Sequence, residues 1–311
     1  MFVIPIASLA QYLTNSSTAC PLVDRDNRVF GVLAGRPGIP TWEADVTRPA
    51  YQAIAKAKNQ CKFKKTQKYH RRGRFPVEAT GISYGGGQAK PQRLTVGQSG
   101  VNESTMSALV ESTPMMRIAG YANTAMRTWA PRLYQRYLRN MDAIRTNDPS
   151  LQPIFDNSVF ASATVNFGPN VACFPHVDDH NLAHGWCAIT ALGEFDPTQG
   201  GHLVLWDLNL IIEFPAGSTI LIPSATLRHS NIPTRDGEMR ASFTTYSAGG
   251  LFRWVAYGHQ SQEDFEREDP EGWRAMEANR EERGQEAVGD YSTLSELGIK
   301  GGKCGEGKTK E

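Results

Sequence analysis

An α+β fold is what the sequence predicts, and three observations carry that prediction. Helix-forming patterns fill residues 103–145. Short apolar runs separated by Gly and Pro turns take over from about residue 157. The strands of that second stretch follow one another too closely for helices between them, which points to a compact barrel or sandwich.

The elements can be justified in order. The run Arg28-Val-Phe-Gly-Val-Leu33 is a short apolar piece, and Thr47 to Lys58 reads as helix. Residues 56–74 are basic, and residues 80–100, centred on Gly85-Gly-Gly87, are expected to form a loop. Thr105-Met-Ser-Ala-Leu-Val-Glu111 is one helical piece. Ala122 to Met141 is a longer one, with Trp129, Leu133, Tyr137 and Leu138 near one face and Pro131 near its first turn. Six strands are expected: Val159–Asn166, Ala188–Phe195, His202–Trp206, Leu210–Phe214, Thr219–Ile222 and Arg240–Tyr246. Turns at Gly168-Pro169, Gly200-Gly201 and Pro215-Ala-Gly217 separate them. Four regions follow. Residues 1–150 form a helical and basic region supporting the core, residues 151–260 the strand-rich core, residues 261–298 a charged helix, and residues 299–311 a disordered tail.

Bulk properties exclude several classes. The 311 residues suffice for one large domain or two modest ones, and 40% hydrophobic content supports a packed core. The formal charge of +1 says nothing about partners in bulk. Five cysteines, at 20, 61, 173, 187 and 304, are odd in number and contain no CxxC, against a disulfide scaffold or a cysteine zinc site. A reducing compartment fits that usage. The opening MFVIPIASLA has no basic residue and is interrupted by Pro5, so it reads as a core strand or helix start. No apolar run reaches 18 residues, so no membrane span is expected.

The candidate chemistry starts at His176-Val-Asp178. In an extended segment, residues i and i+2 point the same way, so these two side chains can meet at one ion. His229 stands 51 residues further on and can supply a third ligand from a distant strand. Two histidines and a carboxylate form a facial triad that leaves positions open, two for a chelating 2-oxo acid and one for O2. Asp179, His180 and His184 are alternative ligands; Asp179 would face away from His176 in an extended segment, and His184 reads as a surface loop residue. Arg240 lies eleven residues after His229, and Arg240-Ala-Ser242 places a guanidinium and a hydroxyl on one strand face. That pair suits the far carboxylate of 2-oxoglutarate. Asn166 is a candidate partner for the near carboxylate, with a plain structural role as the alternative.

The order H-x-D, H, R-x-S on a strand-rich stretch resembles the double-stranded β-helix of 2-oxoglutarate/Fe(II) oxygenases. Ala163-Thr-Val-Asn-Phe-Gly-Pro-Asn170 resembles the segment before the first ligands in AlkB-like and TET/JBP-like members. Gly200-Gly-His-Leu-Val-Leu205 resembles their turn and strand, and Pro215-Ala-Gly-Ser-Thr-Ile-Leu-Ile-Pro-Ser224 the strand leading to the second histidine. The likeness covers residues 158–258. Arg117-Ile-Ala-Gly-Tyr121, Trp129-Ala-Pro-Arg-Leu-Tyr134, Asn181, Gly185-Trp-Cys-Ala-Ile189 and Gly249-Gly-Leu-Phe-Arg-Trp-Val255 resemble the fungal branch of the TET/JBP family.

The resemblance implies a jelly-roll or cupin-like core with flanking helices and an N-terminal substrate-binding extension. It implies Fe(II), 2-oxoglutarate and O2 as cofactor and co-substrates, and oxidation of methyl groups on DNA bases. The expected substrate is 5-methylcytosine, taken to hydroxymethyl, formyl and carboxyl products, with N6-methyladenine demethylation as a further activity. Asn181 would contact the flipped base; at the position of the family's base-contacting histidine, eight residues past the arginine, this chain has Ala248. A nuclear location goes with a DNA substrate.

Charge distribution supports a nucleic-acid partner independently. Residues 56–74 contain nine Lys or Arg and no Asp or Glu, with Tyr69, His70 and Phe75 interleaved or adjacent. Lys64, Lys65, Lys68, Arg71, Arg72 and Arg74 are the expected DNA-backbone contacts, against a solvated face or localisation signal as the alternative. Residues 263–286 hold ten acidic and four basic residues and read as a solvated helix. A prolyl-type protein hydroxylase with the same core is the rival reading. A silent binding module and a cupin-like metal sensor or lyase are further rivals.

Overall fold

The computed structural model describes residues 10–13, 19–96 and 100–299. Its first half contributes β1 (Ala10–Leu13), β2 (Cys20–Val23), β3 (Val29–Gly35), α1 (Arg48–Gln60), α2 (Lys65–Lys68), β4 (Val77–Ser83), β5 (Gln92–Arg93), α3 (Gly100–Val110), α4 (Thr113–Trp129) and α5 (Pro131–Asn147). The second half contributes β6 (Ser162–Asn166), β7 (Cys187–Glu194), β8 (Leu203–Leu205), β9 (Leu210–Glu213), β10 (Thr219–Ile222), β11 (His229–Asn231), β12 (Met239–Tyr246), and then α6 (Gly249–Ala256), α7 (Gln262–Glu268), α8 (Pro270–Ala278) and α9 (Arg280–Val288).

Two sheets face each other. The larger has the order β2-β3-β10-β7-β12-β6-β4-β5, the smaller β1-β9-β8-β11. From β6 onward the chain alternates between them. It leaves the large sheet after β6, touches the small one where His176 bridges His229, and returns for β7. It then crosses for β8 and β9, returns for β10, crosses for β11 and returns for β12. That winding is the double-stranded β-helix the sequence led us to expect.

The two-residue period of the strands decides what lies inside. On β12 and β6, Ala241, Phe243, Ala163 and Val165 face outward and pack with α1, α3 and α4. Leu221 and Ala188 face the second helical layer, which includes Leu133 and Tyr137 of α5. The opposite sides of the same strands, Ile220, Ile222, Cys187 and Ala191, pack between the sheets against Leu203, Leu205, Ile212 and Phe214. The alternate residues of β12, Arg240 and Ser242, therefore point between the sheets, as does Asn166 at the end of β6.

Several expectations need correction. Residue 150 does not divide the strands, because β2 to β5 from the first half complete the large sheet. The loop expected over 80–100 begins inside β4, which pairs with β6 through Val77↔Asn166 to Gly81↔Ser162. The helix expected over Ala122–Met141 is two helices. Pro131 disfavours helical geometry at the residue before it, Ala130 takes φ −139° and ψ 61°, and Pro131 starts α5. The single charged helix expected over 261–298 is three, α7 to α9; the break at Asp269-Pro270 is marked by the Asp269 carboxylate capping the Gly272 amide at 2.9 Å. Residues 300–311 of the expected tail lie outside the described residues. Cys61, Cys173 and Cys187 are free thiols, and Cys20 is disulfide-bonded, which departs from the cysteine usage expected of a reducing compartment.

Candidate metal centre

His176 and His229 are joined backbone to backbone. Each donates its amide to the other's carbonyl, at 3.0 and 2.9 Å, in an isolated antiparallel bridge. Such a pair places two side chains on the same face, and the ring centroids lie 4.4 Å apart. Asp178 follows two residues after His176, outside any strand, and its amide is anchored on the Ser224 carbonyl at 2.8 Å. Its carboxylate oxygens reach the two imidazoles: Oδ1 is 3.7 Å from His176 Nε2 and Oδ2 is 3.9 Å from His229 Nε2. One ligand atom from each of the three residues fits within 4.8 Å of the others.

Tautomers follow from the outer hydrogen bonds. His176 Nδ1 lies 2.7 Å from the Phe174 carbonyl, and His229 Nδ1 lies 2.9 Å from the Leu227 carbonyl. A carbonyl only accepts, so each Nδ1 carries the proton and each Nε2 turns a lone pair toward Asp178. Burial, helped by the neighbouring His229 and Arg72, pushes the His176 pKa down to about 4, against the opposing pull of the Phe174 carbonyl and Asp178. Its imidazole is therefore neutral at physiological pH, as metal ligation requires.

Arg240 shares the cleft. Gly193 opposite it on β7 has φ +134°, and a Cβ there would stand 2.0 Å from the Met239 carbonyl, so only glycine lets β12 lie this close. The Arg240 side chain is 2% exposed. Nη1 donates to the Val171 carbonyl at 3.1 Å and the Phe195 ring lies 6.0 Å away, but Nε has no acceptor. No carboxylate pairs with it among the described residues. Burial lowers its pKa to about 10, which still leaves it cationic at neutral pH. Ser242 lies on the same face, and its hydroxyl accepts from Asn166 Nδ2 at 2.8 Å. The Asn166 Oδ1 is buried and unpartnered. These six residues line one cleft that opens to solvent.

The remaining sequence candidates are placed differently. Asn181 does not line the cleft; its Nδ2 donates to Ser224 Oγ at 3.1 Å, and its backbone bridges Ala248. His184, read as a surface histidine, is half-buried with Nε2 3.0 Å from Asp290 Oδ2. Asp179 turns outward to Arg71. Lys64, Lys65, Lys68, Arg71 and Arg74 are exposed, and Tyr69 is 60% exposed beside them. Arg72 differs from its neighbours: it lines the cleft, close enough to His176 and Cys173 for its charge to act on both. Nothing in a run of nine basic residues marks which one turns inward. Asn231 was also missed, although His229-Ser-Asn231 on one strand puts it on the face of His229. It accepts from the Cys173 amide at 2.9 Å and donates to the Val171 carbonyl at 2.8 Å, stapling the cleft wall.

No protein-family profile and no curated protein matches the chain. Solved structures do. NgTET1 in complex with 5mC DNA matches at 14% identity and a TM-score of 0.49, over 78% of this chain and 83% of that one. A 2OG-Fe(II) oxygenase family oxidoreductase from Burkholderia pseudomallei matches at 13% identity and a TM-score of 0.34, over 66% and 84%. The viral collagen prolyl hydroxylase of Paramecium Bursaria Chlorella virus-1, in its 2OG complex, matches at 19% identity and 0.23, over 28% and 57%.

Proposed function

We propose that the protein is an Fe(II)- and 2-oxoglutarate-dependent dioxygenase that oxidises methyl groups on nucleobases in DNA, with 5-methylcytosine as first substrate and N6-methyladenine as second. One observation carries the oxygenase reading: a two-histidine, one-carboxylate cluster and a buried, acceptor-poor arginine open into the same cleft. A buried cation without a partner is costly, and an anionic ligand relieves it. The three ligand atoms converge with their lone pairs inward and leave one side of the cluster to the cleft, so the donor set fits Fe(II) held by His176, Asp178 and His229.

When bound, iron and 2-oxoglutarate supply oxygen activation and hydrogen abstraction from a methyl group. The chain's own residues orient and shelter that chemistry. Arg240 and Ser242 would hold the distal carboxylate, with the unpartnered Arg240 Nε free to donate to it. The orphaned Asn166 Oδ1 sits beside them; it can accept but not donate, so it suits a water or a protonated group better than a carboxylate. Its amide group serves instead to fix the Ser242 hydroxyl. The Phe174 and Leu227 carbonyls fix both imidazoles.

The nucleic-acid part of the reading is supported by charge. Lys64, Lys65, Lys68 and Arg74 are exposed, next to exposed Tyr69, on the segment whose Arg72 enters the cleft. A base in a duplex would have to leave its stack to reach the cluster. Asn181, the expected base contact, stands outside the cleft with its Nδ2 on Ser224, so it would meet only a part of the base that projects beyond the cleft. A DNA substrate would place the protein in the nucleus.

The test is mass spectrometry of nucleosides from duplex oligonucleotides carrying 5-methylcytosine, N6-methyladenine or thymine. They are incubated with protein, Fe(II), ascorbate and 2-oxoglutarate, with His176→Ala/Asp178→Ala as control. Oxidised or demethylated base made only by the intact cluster is the expected result. Succinate without any base product would overturn the nucleobase reading and leave a protein hydroxylase in its place.

A further inference from the structure

The basic turn and the loop that carries Asp178 lie side by side. Arg71 reaches across with both ends of its guanidinium. Nη1 donates to the Val177 carbonyl at 2.9 Å and Nη2 to Asp179 Oδ1 at 3.0 Å. These are the residues on either side of Asp178. Behind this fork the Phe174 amide donates to the Arg72 carbonyl at 2.8 Å, and Gly73 bridges Cys173. The approach is close enough that a Cβ on Gly73 would stand 2.8 Å from the Ala172 carbonyl. Val177 to Asp179 belong to no strand, so besides the Asp178 amide on the Ser224 carbonyl the fork of Arg71 is what ties this stretch down.

We infer that Arg71 is a positioning residue for Asp178, bracketing that carboxylate through both of its chain neighbours. The inference rests on the reading that His176, Asp178 and His229 hold a divalent metal. A planar fork can meet a carbonyl and a carboxylate at once, whereas a lysine meets one at a time. The bracket confines the loop before metal arrives, so less freedom remains to be lost on binding. Arg71 has thus a different task from Arg74 in the same turn, which makes no hydrogen bond or ion pair among the described residues.

The sign of the effect separates positioning from plain electrostatics. Arg71 is a cation near a cation site. Removing its charge alone would strengthen metal binding, and removing Arg74 would do the same more weakly. Loss of the bracket does the opposite.

The experiment titrates metal-free protein with Co(II) alone, without co-substrate or nucleic acid, and follows visible absorption and heat. Arg71→Ala is expected to bind Co(II) about three- to tenfold more weakly, at or below the bottom of the roughly 10–100-fold range for residues that hydrogen-bond metal ligands directly, because Arg71 holds only the chain neighbours of Asp178. Arg71→Lys should recover part of the loss, and Arg74→Ala should bind as tightly as wild type or slightly more so. Metal-free thermal midpoints should agree within about 2 °C, since exposed ion pairs contribute little to stability. Wild-type affinity, or tighter, in Arg71→Ala would overturn the inference while leaving the metal site intact. A wild-type protein that takes no Co(II) would remove both.

Discussion

In the cleft, side chains hang from backbone that ladders and bridges hold in place: Arg240 and Ser242 from β12, Asn166 from β6, His229 from β11 and His176 from its bridge to His229. In the basic segment the backbone forms the end of α1, the four-residue α2, a turn closed between His70 and Gly73, and a single bridge from Gly73 to Cys173. The first region fixes direction through the alternation of strands. The second fixes it through long-range side-chain bonds such as those of Arg71 to Val177 and Asp179. A strand's side-chain directions can be read from spacing alone, whereas those of a basic turn depend on what the rest of the chain lays against it.

The comparison is broken most severely at the cluster itself. His176→Ala or Asp178→Ala should abolish succinate formation and weaken metal binding by more than about 100-fold, beyond the loss typical of residues that only orient ligands. Calorimetry with Co(II) and a succinate assay check this; retained binding in both variants would remove the cluster from the account.

Arg240→Met should weaken 2-oxoglutarate binding by at least about 30-fold, because loss of one member of a buried charge pair typically costs ~2–5 kcal/mol. The ligand-free protein should behave the other way. Its thermal midpoint should stay level or rise, because an unpaired buried cation has gone. A large fall in the ligand-free midpoint would mean Arg240 already has its partner in the folded chain.

What was legible in the sequence follows this divide. His176-Val-Asp178, His229 and Arg240-Ala-Ser242 could be placed from a two-residue period and a run of short strands, and the structure brings them into one cleft. Asn231 obeys the same rule two residues past His229, so it was readable in principle. Arg72 was not, since its inward direction depends on the turn at Gly73 packing against Ala172 and Cys173. Strand β4 was hidden by its own composition. Glu78 and Gly81 weaken its strand pattern, and only the fold shows that Glu78 is buried with Gln67 at 2.9 Å and Asn102 at 3.1 Å. The break at Ala130 was marked by Pro131, but Trp129, Leu133 and Tyr137 continue the apolar face across it and mask the interruption.

A smaller effect sharpens the ladder side. Gly193→Ala forces an alanine into φ +134° with its Cβ against the Met239 carbonyl, which should cost more than ~2 kcal/mol of stability in denaturant unfolding. An unchanged midpoint would show that β7 and β12 have slack beside Arg240.

The smallest effect belongs to the basic surface. Replacing Lys64, Lys65 and Lys68 by alanine should leave succinate formation unchanged. It should weaken duplex DNA binding equally across sequences and lower the salt slope by about one for each lysine that meets a phosphate. An unchanged slope would take these lysines off the DNA surface.

The central claim is that one cleft holds both a metal and the anion that Arg240 awaits. Anaerobic calorimetric titration with 2-oxoglutarate tests it most directly, in wild type with and without Fe(II) and in Arg240→Met with Fe(II). The account predicts one-to-one binding by wild type that requires the metal and is largely lost in Arg240→Met. Binding that ignores either the metal or Arg240 would contradict it.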